Sequence, residues 1–215
     1  MSLKLQAYTT IKQKILSCEY PPNTLLNEEK LREDLRVSRT PIRDALSRLE
    51  QESLIQILPK RGIIVAGISL AEVEQIYELR MLIEPYALER YGKTIDREIY
   101  KKLEAFFARS PKKISLEEIH KKDNEFHYMF IDAAKNTYLT QAYQHSYTQN
   151  IRLRVLSGSL GKPRIEKSQG EHCVITQYCL DGNWKKAAEA LRKHLLSSKE
   201  ISYSIITELQ ILLNR

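Results

Sequence analysis

The sequence predicts a mainly α-helical protein in two parts: three short helices with a β-hairpin at the amino end, then an antiparallel bundle of long helices. Apolar residues recur at helical spacing along most of the chain, whereas two short apolar, β-branched runs typical of strands lie between Leu54 and Val65. The 215 residues include only seven glycines and seven prolines, so turns should be few and regular elements long.

The amino-terminal part is expected to begin with three short helices. The first covers about residues 3–17, and the second begins after Asn27, an N-cap residue followed by acidic side chains. The third begins at Ser38 or Thr40, with Pro41 in its first turn. This third helix should bury one apolar stripe, formed by Ile42, Ala45, Leu46 and Leu49.

A change of hydrophobic period follows the third helix. The apolar runs 54–58 and 63–65 read as two strands, joined by a basic turn at 59–62. Three short helices followed by a hairpin with a basic tip are typical of a winged helix-turn-helix, which we expect over residues 1–67.

The third helix presents a basic face opposite its apolar stripe. Arg39 and Arg43 lie one turn apart there, and an arginine fork can reach guanine O6 and N7 or hold a phosphate. Ser38 and Thr40 lie at the helix start, where hydroxyls and backbone N–H groups can bind phosphate oxygens. A merely solvated basic face is the alternative, but the basic hairpin tip at the spacing of a wing favours DNA binding.

The stretch VSRTPIRDALSRLE at 37–50, with LNEEKL at 26–31 and PKRG at 59–62, resembles the DNA-binding domain of the GntR family of bacterial transcription regulators. The resemblance implies operator contacts by a set of helix and wing residues: Ser38, Arg39, Thr40, Arg43, Lys60, Arg61 and Gly62. Arg48 could contact phosphate or only solvent.

Several positions depart from the family pattern. Asn23, Arg36 and Ser53 each replace a glycine of a turn; asparagine tolerates left-handed backbone, whereas Arg36 would be mildly strained in it. Glu29 stands where some members carry an arginine that contacts DNA, and Arg32 could substitute for that contact.

Residues 68–215 are expected to be all-helical. No strand pattern appears after Ala66, and Ser69 and Ser115 each precede a glutamate by three residues, as in a capping box. Pro85 should kink or break the first long helix. The expected helices lie near 69–91, 95–109, 115–134, 138–156, 166–180 and 184–213.

Four side chains of this part could form a metal site. Asp123 and His127 lie one helical turn apart beside an apolar stripe, and a buried carboxylate needs a cation or a donor. His172 and His194 lie near the inward stripes of two further helices, so an Asp/His3 site could form in the core. Taken singly, each histidine is more often an ordinary core residue; such ligands suit zinc, nickel, manganese or iron.

The motifs ELR at 78–80, EP at 84–85, DNEFH at 123–127, Asn136, EH at 171–172 and HL at 194–195 resemble the FCD effector domain of FadR-type GntR regulators. The resemblance implies that Asp123, His127, His172 and His194 hold a divalent metal, for which we expect zinc, and that small organic acids are the usual effectors. His120 and His145 match no motif position. His120 lies close to His127 on the helical wheel and could be a substitute ligand or a rim residue, but we expect it to be solvated.

Arg80 lies on an inward stripe with Glu84 one turn later. The pair could be a buried structural ion pair. Alternatively, Arg80 holds the carboxylate of a small ligand whose other oxygens complete the metal shell, with help from Arg152 or Arg154.

The function expected from these features is that of a homodimeric transcriptional regulator of metabolic genes, not an enzyme. The helical part would bind the effector and form the dimer, and a dimer implies a palindromic operator of double-stranded DNA. Two alternatives stay open: a metal-dependent hydrolase or lyase fused to a DNA-binding domain, and a regulator that senses the metal itself. Without a leader, a long apolar run or paired cysteines, we expect a cytoplasmic protein that does not bind membranes.

Overall fold

The computed structural model describes residues 2–59, 61–158 and 162–213, and these form two compact units, Met1–Ile68 and Ser69–Arg215. Both units are mainly helical, and the described strands all lie in the first one. The prediction of a winged helix-turn-helix followed by a helical bundle is confirmed.

The first unit contains three helices and a three-stranded antiparallel sheet in the order β1-β3-β2. Strands β2 and β3 form the predicted hairpin, and β1 pairs with the other edge of β3. Sequence analysis missed β1 because two residues are too few to show a period of two. The elements are α1 (Leu3–Leu16), β1 (Leu25–Leu26), α2 (Glu28–Leu35), α3 (Arg39–Gln51), β2 (Ile55–Leu58) and β3 (Gly62–Val65).

Local chemistry sets the ends of these helices. The Asn27 side chain accepts hydrogen bonds from two backbone N–H groups of the first turn of α2, as predicted for an N-cap. The three residues that replace turn glycines, Asn23, Arg36 and Ser53, all adopt positive φ, at 66°, 53° and 56°. Arg36 therefore ends α2 in the left-handed conformation that asparagine or glycine adopts with less strain.

The second unit is a bundle in which α4 packs along α9, and α8 packs on both α5 and α9. Its described residues form no strand, as predicted, and none of its described helices is long and apolar enough to span a membrane. The helices are α4 (Leu70–Tyr91), α5 (Arg97–Phe107), α6 (Leu116–Ala133), α7 (Thr137–Gly158), α8 (Lys162–Leu180) and α9 (Trp184–Leu213).

Helix α4 begins with the predicted capping box, in which Ser69 and Glu72 satisfy each other's backbone N–H groups. Of the predicted kink or break at Pro85, the break does not occur, because α4 continues from Leu70 to Tyr91. Pro85 is buried, so the packing of α4 against its neighbours compensates for the one backbone hydrogen bond that proline cannot donate.

Aromatic side chains in the core of the bundle surround two of the candidate metal ligands. Phe126 packs against His127 with ring centroids 5.2 Å apart, and Phe107 packs against His172 at 4.7 Å. Both phenylalanines are almost fully buried. This packing holds the imidazole rings in place and keeps bulk water away from them.

Candidate functional site

The first candidate site is the basic face of α3. The helix buries its predicted apolar stripe, and this leaves the Arg39 and Arg43 side chains 65% and 68% exposed on the opposite side. The Ser38 and Thr40 side chains are also exposed at the helix start, and the Ser38 hydroxyl does not cap the helix. The amino end of α3 therefore offers backbone N–H groups and hydroxyls to an anion.

The exposed arginines of α3 share a groove with the wing. Arg39 and Arg43 line it on one side, and Arg61 and Gly62 line it at the start of β3. Gly62 has a φ of +104°, which a residue with a Cβ adopts only under strain, so its role here is conformational. Lys60, the other predicted wing residue, lies outside the described residues.

Two glutamates of α2 also line this groove. The Glu28 carboxylate lies 3.2 Å from Arg43 Nε, and the Glu29 carboxylate lies 3.9 Å from Arg39 Nη2. Ion pairs this exposed contribute only about 0–1 kcal/mol to stability. A phosphate or a base edge can therefore replace the glutamates as the partner of either arginine at little cost.

The structure places Arg48 and Arg32 away from this groove. The Arg48 guanidinium stacks on the Tyr8 ring of α1, 3.8 Å from its centroid, and pairs with Glu52 at 3.4 Å. Arg32 is half-buried beside Arg36 in a separate depression. Arg48 is thus held by contacts within the winged unit and Arg32 is partly buried, whereas Arg39 and Arg43 are mostly exposed.

The second candidate site is a histidine cluster in the helical unit. His127 from α6, His172 from α8 and His194 from α9 are all buried, and one ring nitrogen of each lies within 4.8 Å of the others. The Nε2 atoms of His127 and His172 are 3.3 Å apart. Three separate helices therefore converge on one point of the core.

Asp123 lies beside two of the three histidines. Its carboxylate oxygens are 3.8 Å from His127 Nε2 and 3.5 Å from His172 Nε2. Arg154 from α7 contacts the same carboxylate, with Nε 2.5 Å from Oδ2, and Asn124 accepts a hydrogen bond from the same guanidinium. The structure thus brings all four predicted ligands together, with Asp123 already paired to an arginine.

Two of the histidines each have a glutamate carboxylate behind the ring, on the side away from the cluster. Glu84 Oε2 lies 2.7 Å from His127 Nδ1, and Glu171 Oε2 lies 2.7 Å from His194 Nδ1. An ionised carboxylate only accepts hydrogen bonds, so in a neutral ring Nδ1 carries the proton. The Nε2 lone pairs then face the cluster, and such backing carboxylates orient metal-binding histidines in many proteins.

The protonation states of the cluster suit a cation. Burial lowers the pKa of His127 to about 4 despite its hydrogen bond to Glu84, and burial and His194 hold the pKa of His172 well below its usual range. Burial raises the pKa of the Asp123 carboxyl, but Arg154 and the histidines lower it further, so the net pKa is well below normal. Near pH 7 His127 and His172 are therefore neutral and Asp123 is ionised.

The donor set fits a divalent metal ion. Zinc binds histidine nitrogen at about 2.0–2.1 Å, which places the ligand atoms of a tetrahedral site roughly 3.3–3.5 Å from one another. The separations of His172 Nε2 from His127 Nε2 and from Asp123 Oδ1, 3.3 and 3.5 Å, agree with this spacing. Neutral imidazole and carboxylate also suit nickel, manganese and iron.

A cavity of about 70 Å³ adjoins the cluster. Arg80 lines it, 1% exposed, and pairs with Glu84 at 2.5 Å while Nη1 donates to Asn150. Arg80 Nη2 and both amide atoms of Gln169 are buried with no hydrogen-bond partner among the described residues. Arg80 is thus both a buried structural ion pair and a donor at the cavity wall.

Sequence analysis missed several residues around this cavity. No sequence motif indicated that Arg164 and Gln169 line the cavity, or that Glu171 stands behind His194. These positions depend on how α8 packs against α9. His120, expected to be solvated, is instead half-buried and lines the cavity, as in the alternative of a rim residue, whereas His145 is exposed.

Family comparisons agree with this architecture. Residues 3–65 match the bacterial regulatory proteins of the gntR family, and residues 75–197 match the FCD domain. The chain belongs to the GntR family of transcriptional regulators and carries an FCD domain. The family and the named relatives are transcriptional regulators, so the enzyme alternative is not retained.

Individual relatives span nearly the whole chain. The HTH-type transcriptional regulator YdhC of Bacillus subtilis is 28% identical and covers 90% of this chain and 86% of its own. The structure of McbR/YncC from E. coli is 16% identical with a TM-score of 0.80, covering 95% of this chain and 98% of its own. The Zn2+-bound FCD domain of TM0439 is 20% identical with a TM-score of 0.52, covering 67% of this chain and 98% of its own.

Proposed function

We propose that this chain is a homodimeric regulator of metabolic genes whose affinity for a palindromic DNA operator changes when a small organic acid binds beside a divalent metal in the helical unit. Acting on DNA would place it in the cytoplasm. The observation that carries the DNA part is the groove shared by Arg39, Arg43 and Arg61, because guanidinium groups from a helix and a wing line the same exposed surface.

In this proposal Arg39 and Arg43 contact bases or phosphates from α3, while Ser38 and Thr40 bind phosphate at its start. Arg61 and Lys60 contact the backbone or the minor groove from the wing, and Gly62 gives the wing its turn. Arg43 is the sharpest candidate for base reading, because Glu28 engages its Nε and leaves its terminal nitrogens to form a bidentate contact with guanine. Arg32 and Arg48 contribute less, since one is half-buried and the other stacks on Tyr8.

The metal is proposed to be held by His127, His172, His194 and Asp123, with zinc favoured. Two features support this: the Nε2 atoms of His127 and His172 lie at the spacing of a tetrahedral site, and backing carboxylates turn the Nε2 lone pairs of His127 and His194 toward it. The zinc-bound FCD domain of TM0439, similar in fold to this unit, adds support. The acid would bind in the adjoining cavity, where Arg80 has an unpartnered nitrogen.

Effector control requires a ligand with different affinities for the DNA-competent and the incompetent arrangement of the protein. The helical unit provides the binding site, and we assign dimer formation to the same unit. A dimer presents two reading helices, so the separation of the operator half-sites would match the separation of those helices.

The DNA part is tested by selecting the preferred duplex from a random library with the full chain, then measuring its affinity for variants. Arg43→Ala should lose about 1–3 kcal/mol of specific binding, which is roughly 5- to 150-fold. Lys14→Ala is the matched control, because it removes one positive charge from α1 of the same unit and its partner Glu19 lies outside α3. Unchanged affinity of Arg43→Ala, or no duplex preference at all, would overturn the assignment.

The metal part is tested by elemental analysis of the purified chain and by operator binding with a panel of organic acids. His172→Ala should lose the metal and the response to acids, whereas the exposed His145→Ala should keep both. Full metal retention by His172→Ala would reject the ligand set. If metal alone changed operator affinity and no acid did, the metal itself would be the signal.

A further inference from the structure

Three arginines line the cavity beside the histidine cluster, and each pairs with a carboxylate that lies near a cluster histidine. The repetition is notable because the arginines come from three different helices, α4, α7 and α8. The pairs are Arg80 with Glu84, Arg154 with Asp123, and Arg164 with Glu171.

Arg164 is less buried than Arg80, with a side chain 16% exposed against 2% for Arg80. Its Nη2 donates to Ser198 Oγ at 2.7 Å, and its Nη1 lies 3.5 Å from Glu171 Oε2. The same glutamate oxygen is 2.7 Å from His194 Nδ1. A group that binds Arg164 from the cavity is therefore only one carboxylate away from the histidine cluster.

The charges of these groups can be counted directly. The three guanidinium groups and the three carboxylates balance each other, and histidines that bind a metal do so in the neutral form. A divalent cation adds two positive charges that no described group lining the cavity offsets. Uncompensated charge is costly in a largely buried site, so the metal-loaded cavity should favour an anion of charge −2.

We propose that the cavity binds a dicarboxylate dianion of about four carbons together with the divalent cation. The inference rests on the proposed function, since it specifies the organic acid bound at that site. A dianion cancels the excess charge, whereas a monocarboxylate leaves one positive charge without a partner. The cavity measures only about 70 Å³, which favours a short dicarboxylate over a long one.

The unpartnered polar atoms of the cavity match this ligand. Arg80 Nη2 and Gln169 Nε2 are buried donors with no partner among the described residues, and carboxylate oxygens accept from both kinds of group. Arg164 offers a third donor group in the cavity lining. Two carboxylates can thus be bound by separate donors within one small space.

Because the metal creates the charge excess, metal and dianion should bind cooperatively. Each should raise the affinity of the other by the same factor, since coupling between two binding equilibria is reciprocal. Couplings of this kind range between about 5- and 150-fold.

The test uses isothermal titration calorimetry of the full chain, loaded with Zn2+ or stripped by a chelator, with succinate and butyrate as probes. The two acids have the same number of carbons and differ in one carboxylate. Succinate should bind the loaded protein about tenfold tighter than butyrate or better, as expected for one additional charge-assisted hydrogen bond. Loss of the metal should remove most of this preference. Equal affinities for the loaded protein would overturn the inference.

Arg164 provides the variant test, because the more deeply buried Arg80 could be needed for folding. Arg164→Gln should reduce the preference for succinate over butyrate, and Arg164→Lys should retain most of it. Lys167→Gln is the matched control, since Lys167 lies on the same helix, contacts Glu171 at 3.9 Å and is exposed. An undiminished preference in Arg164→Gln, or an equal loss in the control, would contradict the role given to Arg164.

Operator binding separates this inference from the proposed function. If monocarboxylates bind and change operator affinity as well as succinate does, the dianion inference fails and the proposed function stands. If no acid of either class binds the loaded protein, both fail.

Discussion

Both units of the chain pair arginines with carboxylates, but the pairs differ in exposure. In the winged unit, Arg43 is 68% exposed and lies 3.2 Å from Glu28. In the helical unit, the side chains of Arg80 and Glu84 are 2% and 0% exposed, and their charged groups lie 2.5 Å apart. An exposed arginine of the winged unit can therefore exchange its glutamate for another anion, whereas the buried Arg80 cannot.

The difference follows from solvation. Water and salt screen an exposed pair, so an incoming phosphate can displace its carboxylate at little cost. A buried pair has lost its water, and removing one partner leaves an uncompensated charge in the core. A DNA-binding surface needs the first property, whereas a site that positions histidines needs the second.

Breaking the buried pair should have the largest effect. Glu84→Gln should lower the free energy of unfolding of the helical unit by about 3–5 kcal/mol, because Arg80 loses its charge partner and His127 and Tyr143 lose a charged acceptor. Urea denaturation followed by the fluorescence of Trp184, the only tryptophan, reports on this unit.

Glu29→Gln, which alters an exposed pair of the other unit, is the control for that measurement and should leave the Trp184 transition unchanged. A loss below about 1 kcal/mol for Glu84→Gln would show that the buried pair is no more important than a surface pair.

The second prediction concerns the metal. Zn2+ at 100 times its dissociation constant should stabilise the helical unit by about 2.7 kcal/mol, because the ion binds the folded state only. The Trp184 transition in urea should shift accordingly in the wild-type chain and in His145→Ala, but not in His172→Ala. An equal shift in His172→Ala would place zinc at some other site.

The winged unit was predictable from sequence almost entirely, because its signals are local. The N-cap at Asn27, the apolar stripe of α3 and the basic turn of the wing all lie within short segments. The two-residue strand β1 is the exception, since only its pairing with β3 makes it a strand.

The helical unit was predictable in its elements but less so in its site. Residue spacing placed Asp123 beside His127, and the inward stripes of two further helices made a site with His172 and His194 possible. The family resemblance was needed to favour that site over ordinary core histidines, because the convergence of α6, α8 and α9 is tertiary. Arg164 was also missed because the start of its helix was predicted too late in the chain. Helix α8 begins at Lys162, not near residue 166, so Arg164 was not considered part of the helix.

A third prediction compares two arginines of α3. Arg48→Ala should destabilise the winged unit by about 1 kcal/mol, because Arg48 stacks on Tyr8 and pairs with Glu52. Arg43→Ala should change stability by less than about 0.5 kcal/mol while losing DNA affinity. Hydrogen exchange of backbone amides in α1 and α3 measures the stability of both variants, and titration with the operator measures their DNA affinity. If Arg48→Ala weakened operator binding as strongly as Arg43→Ala did, Arg48 would belong to the DNA-binding surface after all.

The smallest effect is expected from the exposed glutamate that pairs with Arg43. Glu28→Gln should change stability by less than about 1 kcal/mol, because the pair is screened by water. It should raise affinity for random duplex, since phosphates no longer compete with a carboxylate for Arg43, and lower the preference for the selected operator, since the guanidinium is no longer held in one orientation. Affinities for both duplexes, measured at two salt concentrations, separate these effects.

Glu33→Gln, which removes an exposed negative charge elsewhere on α2, is the control. Equal changes in both variants would mean that Glu28 acts only through net charge, and the exposed pair would then have no role in orienting Arg43.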